Sequence, residues 1–275
     1  MGAYVHGYGE REATRLEDQA RTLEDLLHAG TTYPEGSRVL EAGCGTGAQT
    51  VALQRRSPGA RITAVDVSTA SLERAKARVA AAGLTGLEFR QADLLALPFP
   101  AASFDHAFLC FVLEHLPDPA GALIALRRVV RPGGTVTVIE GDHGSALFHP
   151  DSAAARAAIA CQVELHRRAA GDATIGRRLY PLLAAAGFAE VRVSPRLVYA
   201  DASRPEMVEG FIRRTFTAMV EGVRDAALAA GLATAEGFDA GIRDLRRTAE
   251  ADGVFCYTFF KTVAVAPEAT PAASP

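Results

Sequence analysis

The sequence lacks most of the features that mark a metal protein, a redox protein, a membrane protein or a polyanion binder. Its four cysteines, Cys44, Cys110, Cys161 and Cys256, stand far apart, and no pair has the Cys-x-x-Cys spacing of a zinc or dithiol site. They read as buried thiols in a reducing cytoplasm, with no metal expected. No stretch approaches the roughly 20 uninterrupted apolar residues of a membrane helix. The opening segment MGAYVHGYGERE is polar and has no signal-peptide core. The formal net charge is only -3, so the chain as a whole offers no field for phosphates or anionic lipid. Neither nucleic acid nor membrane is expected as a partner.

What is present is the composition of a folded protein: 49% hydrophobic and 22% charged over 275 residues, which suits one decorated α/β domain better than two independent ones. Residues 9–29 carry apolar positions at Leu16, Leu23, Leu26 and Leu27, a helical pattern ended by TTYPEGS. An alternating series follows. RVLEAG, ARITAVDVS, LEFRQAD, FDHAFLC and TVTVIEGD read as strands; GAQTVALQRR, SLERAKARVAAAG and PAGALIALRRVVRPGG read as helices between them. Strands alternating with helices of this length imply a parallel sheet covered on both faces. Beyond residue 144 the rhythm changes. Residues 153–170 and IGRRLYPLLAAAGF read as helix, AEVRVSPRLVYA as a strand, 205–250 as a helical insertion, and VFCYTFFKTVAVA as a closing strand. The tail APEATPAASP, 266–275, reads as disordered.

The segment Val39-Leu40-Glu41-Ala42-Gly43-Cys44-Gly45-Thr46-Gly47-Ala48 joins the first strand to a helix. Glycines at such a turn let backbone approach a ligand, and the free N–H groups of the helix start favour an anionic group. Gly43, Gly45 and Ala48 satisfy the dinucleotide fingerprint; Gly43, Gly45 and Gly47 satisfy the G-x-G-x-G loop of S-adenosylmethionine (SAM) enzymes. Three acids at successive strand ends favour the second. Glu41 is placed to meet the cationic end of an amino-acid-like ligand and is ill placed beside a pyrophosphate. Asp66 can accept both ribose hydroxyls in either reading. Asp93 can accept from an adenine amino group, with Leu94 offering an apolar face to the ring.

The blocks VLEAGCGTG, AVDVS, QADLLALPF, FDHAFLCFVLEHL and LRRVVRPGGTVTVIE, in this order over about residues 38–140, resemble the class I SAM-dependent methyltransferases, in particular the UbiE-like group that modifies small molecules. The resemblance implies a Rossmann-like, doubly wound α/β fold. Its seven-stranded sheet would have the last strand antiparallel, VFCYTFFKTVAVA beside VRVSPRLVYA, with an inserted helical cap. It implies that Gly43, Gly45 and Gly47 line the methionine part of SAM, that Asp66 is the ribose acid with Val67 beside the adenine, and that Ala92, Asp93 and Leu94 clamp the adenine. Cys110 and Phe111 would face the sulfonium. It also implies that the N-terminal segment folds over the site as a lid, in some relatives from a partner subunit. Tyr8 would then bond the SAM carboxylate and Arg15 or Gln19 would face the cofactor, with a homodimer exchanging arms among the expectations.

For the chemistry, His143 in EGDHG follows the fifth strand at the carboxyl edge and is the first candidate for a general base. His115, in EHLP after the fourth strand, is the second. His149 and His166 are candidates for the acceptor pocket. Met207, Phe211, Phe216, Met219 and Val220 form an apolar stripe suited to core packing or to a hydrophobic acceptor, and Arg213, Arg214, Arg246 and Arg247 to solvated faces or to an acidic group on it. The expected organisation is a lid at 1–30, a SAM-binding core at 31–145, the remainder of the core with cap insertions at 146–265, and the tail. The expected activity is methylation of C, N or O on a small, partly hydrophobic or aromatic metabolite. Alternatives kept open are methylation-triggered cyclisation at the same site, an NAD(P)-dependent oxidoreductase, a non-catalytic SAM-binding protein, and a nucleic acid methyltransferase. Against the oxidoreductase stand the Asp93 clamp and the absence of an obvious Tyr-x-x-x-Lys catalytic pair. Against the last stands the acidic balance.

Overall fold

The computed structural model describes residues 10–268, with side chains from residue 14 onward. The N-terminal arm with Tyr8 and the last seven residues lie outside the described residues. Strands β1 (Arg38–Ala42), β2 (Arg61–Asp66), β3 (Glu88–Gln91), β4 (Phe104–Cys110) and β5 (Val130–Gly141) are parallel and lie in the order β3-β2-β1-β4-β5. The chain winds outward from β1 in one direction and then from β4 in the other. The switch point between β1 and β4 opens a crevice at the carboxyl edge of the sheet.

Val39, Leu40, Ala42, Ala107, Phe108 and Leu109 are wholly buried because helices cover both faces, so these strands read as continuous apolar runs. One face packs on α4 (Pro119–Val129) and α6 (Leu179–Ala185); the other packs on α1 (Glu10–His28), α5 (Ala153–Arg168) and the helical cap. Helix starts are fixed by local chemistry. Ser68 accepts from Ser71 N at the head of α3 (Thr69–Ala81), Asp118 from Gly121 N ahead of α4, and Ser152 from Ala155 N ahead of α5. Among the described residues no helix is long and apolar enough to cross a membrane.

The closing strand β8 (Val254–Val265) runs antiparallel to both β5 and β7 (Ala189–Asp201), as expected. Among the described residues the sheet has eight strands, one more than expected. The extra one is β6 (Leu147–His149). β8 is longer than the stretch β5 can pair, which ends at Gly141 opposite Phe259; after a five-residue loop the chain returns and pairs Leu147, Phe148 and His149 with Cys256, Phe255 and Val254. Since β7 holds the other edge of β8 along its length, β6 continues the position of β5.

The cap between 205 and 250 is several short pieces: a π-helical segment Val208–Thr217 flanked by helical turns, α9 (Arg224–Ala229), and α10 (Ala235–Arg247) packed on α5. Gly241 is what allows that packing, since a Cβ there would collide with the Ala154 carbonyl. Gly210 does the same for α1, where a Cβ would meet Thr22. Lys261, buried in β8, donates to Ala29 O (2.8 Å) and Thr31 Oγ1 (2.5 Å) and ties the end of α1 to the sheet.

Candidate active site

The turn after β1 needs its glycines for three different reasons. All three have positive φ (+76°, +52° and +77° for Gly43, Gly45 and Gly47). A Cβ on Gly43 would stand 2.6 Å from Val112 Cγ2, and one on Gly47 would stand 2.9 Å from the Ala75 Cα, so these two permit packing against the β4 loop and α3. A Cβ on Gly45 would meet no protein atom within 4 Å; this glycine serves the backbone turn and the open crevice. The turn is held by Gly43 N and Cys44 N donating to Val65 O, and by Gly45 N donating to Asp66 Oδ2 at 2.9 Å. The other Asp66 oxygen accepts from Ser68 N, also at 2.9 Å. One carboxylate thus positions the ends of both β1 and β2, with lone pairs remaining on each oxygen.

Over this turn lies a cavity of about 390 Å³. On one side it is lined by Arg15 and Gln19 of α1, Glu41, Gly43 and Gly45, Asp66 and Val67, Asp93 and Leu94, and Cys110 and Phe111. These are the expected cofactor residues except Gly47, Ala92 and Tyr8. Gly47 and Ala92 are not in the lining. Gly47 is occupied with Ala75, and Ala92 is buried with its N–H on Asp66 O, where it braces the β2 end. Tyr8 lies outside the described residues.

Glu41 is 2% exposed, and its Oε2 has no hydrogen-bond partner. Burial, with the Asp66 charge adding to it, pushes its carboxyl up to about 8. An unpartnered buried carboxyl on a cavity wall suits a cationic group. Asp93 accepts from Leu95 N (2.9 Å) and caps the short turn Leu94–Ala96, which leaves its other oxygen open. Phe111 adopts φ +60°, a strained conformation for a non-glycine, fixed by its N–H on Ile139 O and by Val112 N and Leu113 N on Glu140 Oε1 (3.0 and 2.7 Å).

The far side of the cavity is lined by Glu114, His115, Gly141, His143, Met219, Tyr257 and Phe259. His143 is buried in the loop between β5 and β6. Its Nδ1 lies 3.0 Å from the Tyr257 hydroxyl, and its Nε2 lies 3.4 Å from Gln162 Nε2 and 3.6 Å from Glu114 Oε2. The loop is clamped by Asp142, which accepts from Gly144 N and forms a two-bond pair with Arg177 (2.6 and 2.7 Å). His115 reaches the other Glu114 oxygen at 3.5 Å and stacks on His166. Burial raises the Glu114 carboxyl, but His115, His143 and His166 outweigh it and hold the group well below the usual carboxylate range. Burial and the Glu114 charge push Glu140 up. Among the described residues no cluster of such side chains converges to hold a metal ion.

His149 and His166 do not line the cavity: His149 lies in β6, and His166 stands behind His115 and His143. Of the apolar stripe only Met219 lines it; Phe211, Phe216 and Val220 are core. Arg213, Arg214, Arg246 and Arg247 pair with Glu209, Glu250, Glu221 and Asp252 at the surface. Tyr257 and Phe259 were not anticipated. Their signal was available, since Phe255, Tyr257 and Phe259 alternate along a strand and so share one face. Tyr257 and Lys261 do have the Tyr-x-x-x-Lys spacing. On a strand that spacing separates them by about 13 Å, and Lys261 is committed to α1.

Residues 40–138 match the family described as methyltransferase domain. An uncharacterized 37.1 kDa protein of a Streptomyces fradiae transposon is 33% identical over 208 residues, 74% of this chain and 59% of that protein. The ubiquinone biosynthesis O-methyltransferase of Paracidovorax citrulli is 40% identical over 128 residues, 44% of this chain and 53% of that enzyme. The chain thus spans little more than half the length of these two relatives. Among solved structures, the cyclase SpnF superposes with a TM-score of 0.58 at 23% identity, covering 91% of this chain and 82% of that one. The Rossmann-like fold and the class I methyltransferase resemblance of the central blocks are upheld.

Proposed function

We propose that this chain is a SAM-dependent methyltransferase acting on a small, partly hydrophobic or aromatic metabolite. The observation that carries the reading is the buried Glu41 carboxyl, one oxygen of it without a partner, on the wall of a cavity that also gathers Asp66 and Asp93 from the next two strand ends. Glu41 suits the ammonium of a methionine moiety, Arg15 its carboxylate, Asp66 the ribose, and Asp93 with Leu94 and Val67 the adenine. When bound, SAM supplies an electrophilic methyl group and leaves as a neutral thioether. The protein's part is to align the acceptor, exclude water and accept a proton where one must leave. His143 is the proposed proton acceptor, and His115 adjoins it through Glu114. We take the lid to be 1–30, the cofactor core 31–145 and the acceptor-side remainder 146–265, in a cytoplasmic enzyme.

The test is calorimetric titration with SAM and, separately, with NAD and NADP. SAM is expected to bind and the dinucleotides are not; the reverse pattern ends this reading. The titration has a second signature. Because Glu41 is raised to about 8 in the free protein, it holds a proton at neutral pH and must release it when an ammonium docks. Affinity should therefore rise with pH toward about 8. Repeating the titration in buffers of different ionisation enthalpy should show proton release that Glu41→Gln abolishes. No proton release in the unmodified protein would remove Glu41 from the ammonium site.

A homodimer exchanging its N-terminal arms belongs to the same proposal; it is supported by α1 placing Arg15 and Gln19 on the cavity, directly after the arm. A monomer in sedimentation equilibrium would rule it out. Methylation-triggered cyclisation would use the same cofactor residues and is distinguished by the product skeleton.

A further inference from the structure

We infer that Tyr257, His143 and Glu114 form a proton relay that opens on the cavity at the Tyr257 hydroxyl, and that the acceptor is a hydroxyl compound methylated on oxygen. The inference rests on the methyl-transfer reading above.

The direction of the relay follows from its contacts. Glu114 is an anion set among three imidazoles, and it lies 3.6 Å from His143 Nε2. That contact favours the proton on Nε2 and leaves Nδ1 as an acceptor. Among the described residues, the donor at Nδ1 is the Tyr257 O–H, at 3.0 Å. With its hydrogen turned toward His143, the Tyr257 oxygen keeps its lone pairs for a group in the cavity. The neighbouring Gly141 leaves room for this, since a Cβ there would collide with that oxygen. Burial keeps the phenol protonated, so Tyr257 carries a proton through and is not itself a standing anion.

The other groups around His143 do not compete. Asp142 is neutralised by Arg177, Phe216 closes the π-helical side, and His166 is shifted by burial toward its neutral form. The Gln162 amide of α5 lies 3.4 Å from Nε2 with its Oε1 left without a partner, and turning that amide over presents the Oε1 as an acceptor to Nε2–H. The step balances as follows. The acceptor O–H bond breaks and its proton goes to the Tyr257 oxygen. The Tyr257 proton passes to His143 Nδ1, and the imidazolium is held by Glu114. The acceptor oxygen forms the new C–O bond as the C–S bond of the donor breaks, with that electron pair staying on sulfur. A neutral amine or an electron-rich carbon has a nucleophilic pair before any proton leaves, so a buried three-residue relay is what a hydroxyl acceptor requires.

The test uses the full chain labelled with 15N-histidine and saturated with S-adenosylhomocysteine. Long-range proton–nitrogen spectra are expected to show neutral His143 as the Nε2–H tautomer. Tyr257→Phe, which removes the donor to Nδ1, should move the Nδ1 resonance of the neutral ring toward that of an unbonded acceptor nitrogen. Glu114→Gln should weaken the preference for Nε2–H and populate the Nδ1–H tautomer. S-adenosylhomocysteine affinity should stay within about twofold in Tyr257→Phe. An Nδ1–H tautomer in the unmodified protein, or a His143 Nδ1 resonance unmoved by Tyr257→Phe, overturns the relay. In a second arm, the protein with methyl-13C SAM is given a small-molecule extract of its source cells. A product carbon with the shift of an O-methyl group is expected; an N-methyl or C-methyl product overturns the hydroxyl assignment. Failure of S-adenosylhomocysteine to bind the unmodified protein would count against the methyl-transfer reading instead, and the tautomer can be read without it.

Discussion

Replacing Asp66 by alanine is expected to weaken binding of SAM or S-adenosylhomocysteine by about 100-fold or more. Two losses combine. The carboxylate would no longer accept the two ribose hydroxyls, and hydrogen bonds to a charged group contribute roughly 1.5–3 kcal/mol each. The same two oxygens also hold Gly45 N and Ser68 N at 2.9 Å. Without them the glycine turn and the head of α3 lose the group that sets their spacing. Asp66→Asn keeps one acceptor oxygen and should fall between the two. Titration calorimetry reads the effect directly, with thermal denaturation as the check on folding. Unchanged affinity in Asp66→Ala would remove the ribose assignment and with it the orientation of the cofactor across the three strand ends.

The second large effect is expected at His143. His143→Ala should lower turnover by roughly 10²–10⁴, the range for loss of a positioned base. S-adenosylhomocysteine affinity should change little, because His143 stands across the cavity from the glycine turn, and Asp142 and Arg177 continue to clamp the loop. The substitution also leaves Glu114 with one imidazole fewer. A stability loss of about 1–3 kcal/mol follows, so rates belong well below the variant's melting temperature. Full turnover with the natural acceptor would show that no base is needed there.

The glycine-turn side of the cavity was legible in the sequence because it depends on local features: glycines in one turn, and an acid at the end of each of three strands. Each acid sits within a few residues of the motif that announces it, and the alternation of strands and helices places all three on one edge. Gly47 shows where that reasoning falls short. It has the spacing of a ligand glycine, but its conformation serves contact with Ala75, and only the packing of α2 (Ala48–Arg56) on α3 reveals this. The far side of the cavity was legible at His143, His115 and Met219 but not in how His143 is held. Its partners Glu114, Gln162 and Tyr257 come from a turn, a helix and the last strand, the last of them 114 positions away. β6 is too short to show any alternation and exists because β8 has an edge to fill. The π-helical winding of 208–217 was likewise invisible, since its composition is that of an ordinary amphipathic helix.

The interruption between β5 and β6 gives this site its division of labour. The loop carrying His143 leaves β5 opposite Phe259 and returns as β6 opposite Cys256, so it is stitched at both ends to the strand that bears Tyr257. The His143–Tyr257 separation is therefore governed by a backbone ladder, with Phe216 of the cap packed on both rings. Met219 and its neighbours can drift through evolution, or be redesigned, to admit a different molecule while the hydrogen-bonded pair beneath stays in register. Under that arrangement, the choice of acceptor and the handling of its proton are inherited separately.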